Sequence, residues 1–163
     1  MTQYKPFYPA MVNAVRQTLE NMVFMEVMEQ QPPYSDIAPE NLAWSSMMIN
    51  DPIQGEVRLA VPSELLKQIT ANVFGLSEEE VTTSQGYDIL NELLNTIGGL
   101  FMTNLLPDDQ EYKIGLPTLG NRPLPEVDDE TLVWHLITSE DEPLKIYANG
   151  ESLVGIYQSE QDS

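Results

Sequence analysis

Between Tyr87 and Leu106 the apolar residues recur with helical period. At roughly 100° per residue, Ile89, Leu90, Leu93, Leu94, Ile97, Leu100 and Phe101 fall within one arc of about 140°. That arc predicts a long amphipathic helix with one face on a core. The opposite face carries Asp88, Asn91, Glu92, Asn95, Gly98, Gly99 and Thr103. Spacings of three and four align Asp88, Glu92, Asn95 and Gly99 along the exposed side.

The rest of the chain is organised around this helix. Met11, Val12, Val15, Leu19, Met22 and Val23 recur with the same period, and Pro9 suits a first helical turn. This first helix is expected to run to about Glu26. Three prolines between Gln30 and Asn41 then break regularity. Leu42 to Ile49 and Gly55 to Val61 read as two strands joined by a turn at Asn50-Asp51-Pro52. Val57, Leu59 and Val61 alternate with Glu56, Arg58 and Ala60, so one face is buried. A second helix begins at Pro62-Ser63, with Ser63 as N-cap, and stops at Gly75. Ser77 and Glu80 have the form of a capping box. After the long helix, Lys113 to Thr118 and Thr131 to Thr138 read as strands. Leu144 to Tyr147 and Ser152 to Tyr157 read as a hairpin about Asn149-Gly150. Residues 159–163 are expected to fray. Strand–helix–strand alternation is absent, which predicts an α+β class with a mostly antiparallel sheet.

At 163 residues and 42% hydrophobic, the sequence fits a single domain, 1–163, with a proper core. A formal net charge of -19 sets it against nucleic acid and anionic lipid, and favours a partner with a basic patch. A solvated acidic surface without a message is the competing reading. Without cysteine there is no disulfide or thiolate site. No basic-then-apolar leader and no apolar run near 18 residues is present, so the expectation is a cytoplasmic protein. The single His135 lies in a strand-like run and reads as structural.

The two glycines of the long helix need a reason, because each costs about 1 kcal/mol relative to alanine in a helix interior. Packing accounts for Gly98, at the edge of the apolar arc. Gly99 lies within the polar stripe, where it offers a flat spot for another backbone beside a carboxylate and an amide. Glu92 suits a general base, a metal ligand, an ion-pair partner or a plain solvated residue. Asn95 is a poor interior helix residue. Its amide both donates and accepts, and can hold a water in line with a reacting phosphorus without titrating. The carboxylates at Asp108-Asp109 and from Glu126 to Glu130 fit solvated loops. P-loop and nucleophile-elbow strings are missing.

An internal repeat is weakly legible. With Asn21 laid on Asn95, Val15, Leu19 and Val23 meet Ile89, Leu93 and Ile97. Thr18 then stands at the position of Glu92, and Phe24 and Met25 at those of the glycines. In that register only the second copy retains a site.

The run from Asp88 to Gly99, DILNELLNTIGG, resembles the signature helix of the CheC/CheX/FliY class of chemotaxis phosphatases, most closely the CheX branch. The stretches 55–76 and 113–125 resemble that family's strand–helix unit and its Gly-x-x-Pro strand and loop. The resemblance spans nearly the whole chain. It implies a pseudo-symmetric fold, with two long helices on an antiparallel sheet. It also implies dephosphorylation of the phospho-aspartate of a CheY-like response regulator receiver domain. In that mechanism Asn95 is the catalytic amide that orients the hydrolytic water, and Glu92 the catalytic acidic residue that pairs with a lysine of the receiver. Asp88, Gly98 and Gly99, on the face that reads as open to a partner, are the candidate partner-binding residues. The resemblance further implies a divalent cation on the receiver, no cofactor in this chain, and a capacity to form homodimers. Leu100 departs from the small polar residue that family members often carry there, and its helical position points it at the core. A non-enzymatic acidic adaptor, binding a receiver or another signalling protein through the same face, is the alternative.

Overall fold

A computed structural model describes residues 4–162. Its helices are α1 (Phe7–Val23), α2 (Ser63–Phe74), α3 (Thr83–Leu105) and α4 (Glu151–Gln161). Its strands are β1 (Val27–Glu29), β2 (Leu42–Asp51), β3 (Gly55–Pro62), β4 (Lys113–Ile114), β5 (Thr118–Leu119), β6 (Leu132–Thr138) and β7 (Pro143–Asn149). They form a seven-stranded sheet in the order β1-β6-β7-β3-β2-β4, with β5 also pairing with β2. Every pairing is antiparallel.

The connectivity contains a pseudo-two-fold. α1, β1, β2, β3 and α2 make one half; α3, β4, β6, β7 and α4 make the other. Exchanging the halves, β1 for β4, β2 for β6 and β3 for β7, returns the same strand order reversed. The dyad passes between β3 and β7, and the two long helices are its related pair.

Alternation along the strands separates two faces. Met47 and Ile49 of β2, Val57 and Leu59 of β3, and Trp134 and Leu136 of β6 join the core under α1 and α3. Phe7 of α1 meets Phe101 of α3 edge-on, with ring centroids 5.5 Å apart, and Trp134 stacks on Tyr8 at 4.9 Å. On the other face, irregular chain takes the place of helices. Tyr34 stacks on His135 at 3.7 Å, Asp36 pairs with Lys145 at 3.2 Å, and the Trp44 indole donates to the Arg122 carbonyl at 2.9 Å. His135 is thus a strand residue under a stacked tyrosine, its pKa pushed down by burial and by the nearby Lys145 ammonium.

Several boundaries differ from the sequence reading. α1 starts at Phe7 and ends at Val23, where Phe24 turns left-handed at φ 58° and its N–H closes on the Leu19 carbonyl. Ser63 is the first helical residue of α2, with Pro62 at the cap, while Gly75 ends the helix in the left-handed region as expected. The strand read from Lys113 to Thr118 is two short pieces broken at Gly115–Pro117. β1, three residues long, left no legible pattern.

The largest correction lies at the C-terminal end. Ser152 to Tyr157 is helix, not the second strand of a hairpin. Leu153, Val154 and Ile156 are buried, a helical spacing that a strand cannot place on one face. Gly150 does have a positive φ of 110°, but it launches α4 past Gly55, where an added Cβ would stand 2.8 Å from the Gly55 Cα. Glu160 of α4 accepts the Phe7 N–H at 2.9 Å, which ties α4 to the start of α1.

Candidate functional site

α3 begins four residues before the expected Tyr87. Thr82 and Gln85 form a reciprocal capping box, with Gln85 N–H to Thr82 Oγ1 at 3.1 Å and Thr82 N–H to Gln85 Oε1 at 2.9 Å. Two otherwise unpaired donors are thereby satisfied, fixing the end of the helix nearest Asp88. The apolar arc is buried as expected: Leu90, Leu94, Ile97 and Phe101 have no exposed surface. Each such side chain contributes roughly 1.5–3 kcal/mol by leaving water. A helix held this firmly presents its other face at fixed positions.

That face carries Asp88, Glu92 and Asn95, all exposed. Glu92 and Asn95 are one turn apart, a spacing that sets Cβ atoms about 5–6 Å from each other. Among the described residues neither side chain has a hydrogen-bond or ion-pair partner. A carboxylate and an amide thus stand side by side with all their bonding capacity turned outward. Both are first met one turn or more inside the helix, so backbone fraying does not blur them.

Two positions assigned to the outward face turn inward, and for one of them, Gly98, packing is the expected reason. Gly98 is buried, and an added Cβ would lie 1.9 Å from Met47 Cε. It faces the sheet and is not open to a partner in this conformation. Asn91 also turns to the sheet, where its Oδ1 accepts from Ser45 Oγ at 2.6 Å. The cause is that α3 packs on α1 and on β2 together, which widens the buried arc on its β2 side. Leu100 packs against the core, as its helical position implied.

Gly99 stays at the surface. Its carbonyl accepts from Thr103 Oγ1 at 3.0 Å and from Tyr112 Oη at 3.2 Å. An added Cβ would meet only the Tyr112 oxygen, at 3.6 Å. The flat spot is real, with a tyrosine along one side. Tyr112 was invisible to sequence reasoning, because it reaches α3 through a loop whose course no local pattern sets.

The repeat register with Asn21 on Asn95 does not survive. It lays buried Ala10 and Ala14 of α1 on exposed Ser84 and Asp88 of α3. Thr18 is buried and donates to the Ala14 carbonyl at 2.7 Å, so it does not occupy an outward position like that of Glu92. The outward face of α1 carries Asn13, Arg16, Gln17, Glu20 and Asn21, with no carboxylate three residues ahead of an amide.

Among the described residues no group of three His, Asp or Glu is placed to hold a metal ion. No helix among them is long and apolar enough to cross a membrane.

The family model of chemotaxis phosphatase CheX matches residues 44–132, more than half of the chain and the whole of α3. The fold is similar to a chemotaxis protein CheX from Vibrio vulnificus (TM-score 0.70, 14% identity, 89% of this chain and 96% of that one). A CheC-like superfamily protein from Shewanella sp. PV-4 superposes with TM-score 0.67 at 16% identity, over 89% of this chain and 98% of the other. CheX in a CheX–CheY–BeF3–Mg2+ complex from Borrelia burgdorferi gives TM-score 0.67 at 14% identity, over 88% and 96%. A sequence comparison with curated proteins finds no match.

Proposed function

The chain belongs to the chemotaxis phosphatase CheX family, and from that premise we propose that it hydrolyses the phospho-aspartate of a CheY-like receiver domain through Glu92 and Asn95. The observation that carries this reading is the exposed, unpartnered pair on a rigid helix, inside the segment that the family model matches. A likeness of fold to a CheX crystallised with CheY supports the choice of partner.

The chemistry asked of the pair is positioning. Water attacks phosphorus, the bond from phosphorus to the aspartyl oxygen breaks, and the products are inorganic phosphate and the free carboxylate. The water must approach opposite the leaving carboxylate. The Asn95 carbonyl oxygen accepts one water hydrogen and turns a lone pair towards phosphorus. An amide does this without adding charge next to a phosphoryl group that is already anionic. Glu92 supplies the attraction that a neutral amide lacks. Its carboxylate pairs with a lysine of the receiver and holds that side chain, and with it the phosphoryl group, in register with Asn95. A divalent cation on the receiver neutralises phosphoryl charge. Gly99 gives the receiver backbone room to approach. The reading places the protein with its receiver in the cytoplasm.

The test is phosphate release from an aspartyl-phosphorylated receiver. Asn95→Ala should remove most of the rate enhancement, lowering turnover about 10²-fold or more, with binding of the receiver little changed. Asn95→Asp should not restore it, because a carboxylate repels the phosphoryl group. Glu92→Gln should weaken docking and turnover together. If the wild-type protein accelerates release from no receiver of its own cell yet binds one, it is an adaptor and the catalytic reading is wrong. If Asn95→Ala is as fast as wild type, the family assignment stands and the site does not.

A further inference from the structure

The polar pair leaves open how a receiver is selected, since an acidic face on a chain of net charge -19 attracts any basic surface. A second feature runs beside it. Tyr112 Oη reaches the Gly99 carbonyl at 3.2 Å. Six residues later, the Thr118 carbonyl and Asn91 Oδ1 share the Ser45 hydroxyl, at 3.2 and 2.6 Å. Residues 112–118 therefore run antiparallel to α3, from the level of Gly99 back to that of Asn91. Leu116 lies in the chain between those two ties.

Leu116 is 85% exposed. Exposed leucines are ordinary on protein surfaces, but this one is held by its backbone. Ile114 pairs with Ile49, Gly115 N–H donates to the Met48 carbonyl at 2.7 Å, and Thr118 pairs with Ser46. Pro117 stiffens the next position. The side chain cannot fold down into the protein by a loop movement without breaking these ties. On the same side of α3, Tyr87 is 39% exposed and lines a cleft of about 320 Å³ with Leu66, Val81, Leu119 and Gly120. Tyr87 at one end of α3, and Leu116 and Tyr112 on the segment tied to it, together make up an apolar ledge on the β5 side of the line Asp88, Glu92, Asn95 and Gly99.

We propose that this ledge is the docking surface that selects the receiver, with Leu116 as its anchor. The inference rests on the phosphatase reading above. The occupant is a folded receiver domain with an apolar patch next to its phospho-aspartate and lysine. Such a surface must meet a carboxylate and an amide on one side and a fixed leucine on the other, which a merely basic protein does not do. Interfaces of this kind take most of their affinity from a few apolar or aromatic anchors bordering a polar centre.

The test is the full chain with Leu116→Ser and Leu116→Met, against a receiver activated with beryllofluoride for binding and phosphorylated for turnover. Leu116 makes no buried contact to lose, so both variants should melt with the wild type. Leu116→Ser should raise Kd and KM about tenfold, with turnover at saturating receiver within about twofold of wild type. Leu116→Met should retain wild-type values. The salt dependence of binding should be unchanged in Leu116→Ser and reduced in Glu92→Gln, because only the second removes a charge. If Leu116→Ser leaves Kd and KM within twofold of wild type while Asn95→Ala abolishes release, the ledge is wrong and the phosphatase reading stands. If the wild-type protein neither binds a receiver nor releases its phosphate, both fall.

Discussion

Gly98 and Gly99 are adjacent in sequence and opposite in surroundings, so the same substitution should act on them with opposite signs. Both are interior helix positions with ordinary negative φ, where alanine gains roughly 0.4–1 kcal/mol by restricting the unfolded chain. At Gly99 the new methyl meets only the Tyr112 oxygen at 3.6 Å. Gly99→Ala should therefore raise the melting temperature, and it should lower receiver dephosphorylation by narrowing the flat spot. At Gly98 the methyl collides with the terminal methyl of Met47, a side chain 1% exposed. The end of a methionine moves aside easily at a surface, but the buried Met47 can only move into neighbouring core side chains. Overpacking of that sort costs about 1–3 kcal/mol, against the smaller helical gain. Gly98→Ala should melt earlier. Thermal melts and phosphate release on the two variants check both statements. Glu142 gives a pH-dependent case. Burial, then the neighbouring charge of Glu140, push its carboxyl above the usual value of 4.5, against a hydrogen bond from Gln68, and Glu78 and Glu64 add to the rise. A carboxyl raised in the folded state contributes stability below its unfolded pKa and loses it as pH rises through the folded one. Glu142→Gln should thus raise the melting temperature at pH 7, with the gain shrinking as pH falls through the raised folded value and absent once pH is below the ordinary value of 4.5. An equal gain at both pH values would show that charge is not the cause. Glu56 has the opposite sign. Burial pushes it up, but hydrogen bonds from Ser46, Arg58 and Asn149 and the Arg58 charge outweigh this and hold it below 4.5. It stabilises the fold above the ordinary carboxylate range and ceases to do so as pH falls through its lowered value.

Among the elements, α4 offers a direct check on the one segment whose type the sequence misled. Gly155 lies inside α4 with nothing within 4 Å of an added Cβ. In a helix, Gly155→Ala should stabilise by about 0.5–1 kcal/mol. In the second strand of a hairpin it should bring little, since alanine is a poor strand former. Denaturant unfolding distinguishes the two. The reason for the misreading is physical. Asn149-Gly150 has the residue types of a primed hairpin turn, and Gly150 takes the positive φ that such turns use. What fixes α4 instead is long-range: Leu153 packs beside Gly55, and Glu160 receives the Phe7 N–H. The same division runs through the rest. The β2–β3 hairpin and the buried arc of α3 were legible because periodicity and turn residues are local. The outward placement of Glu92 and Asn95 followed from that arc alone. Asn91 and Gly98 were misplaced because α3 is covered from two sides, by α1 and by Met47 and Ser45 of β2. Period alone assumes one covering surface. Tyr112 and Leu116 join the site through β4 and β5, two residues each, which are too short to carry a pattern.

For the whole molecule, 26 acidic and 7 basic residues set two salt effects of opposite sign. Among the described residues, four ion pairs within 4 Å engage the cations Lys5, Arg58, Lys67 and Lys145. Most carboxylates are thus left without a cation, and they repel one another across the surface. Added salt screens that repulsion, with a Debye length falling from about 30 Å at 0.01 M to about 8 Å at 0.15 M. The folded state, being the more compact, is relieved more than the unfolded chain. Raising sodium chloride across that range should therefore raise the melting temperature. Docking should respond the other way. If Glu92 pairs with a receiver lysine, and the acidic surface steers the encounter, the same increase should slow association and weaken affinity. The apolar ledge at Leu116 has no charge to screen, so binding should fall to a plateau instead of vanishing. Melting curves and receiver titrations at matched salt concentrations give both quantities. A melting temperature that falls with salt would mean that local ion pairs outweigh the general repulsion. An affinity indifferent to salt would remove the carboxylate from the interface, leaving the apolar contact to hold the receiver alone.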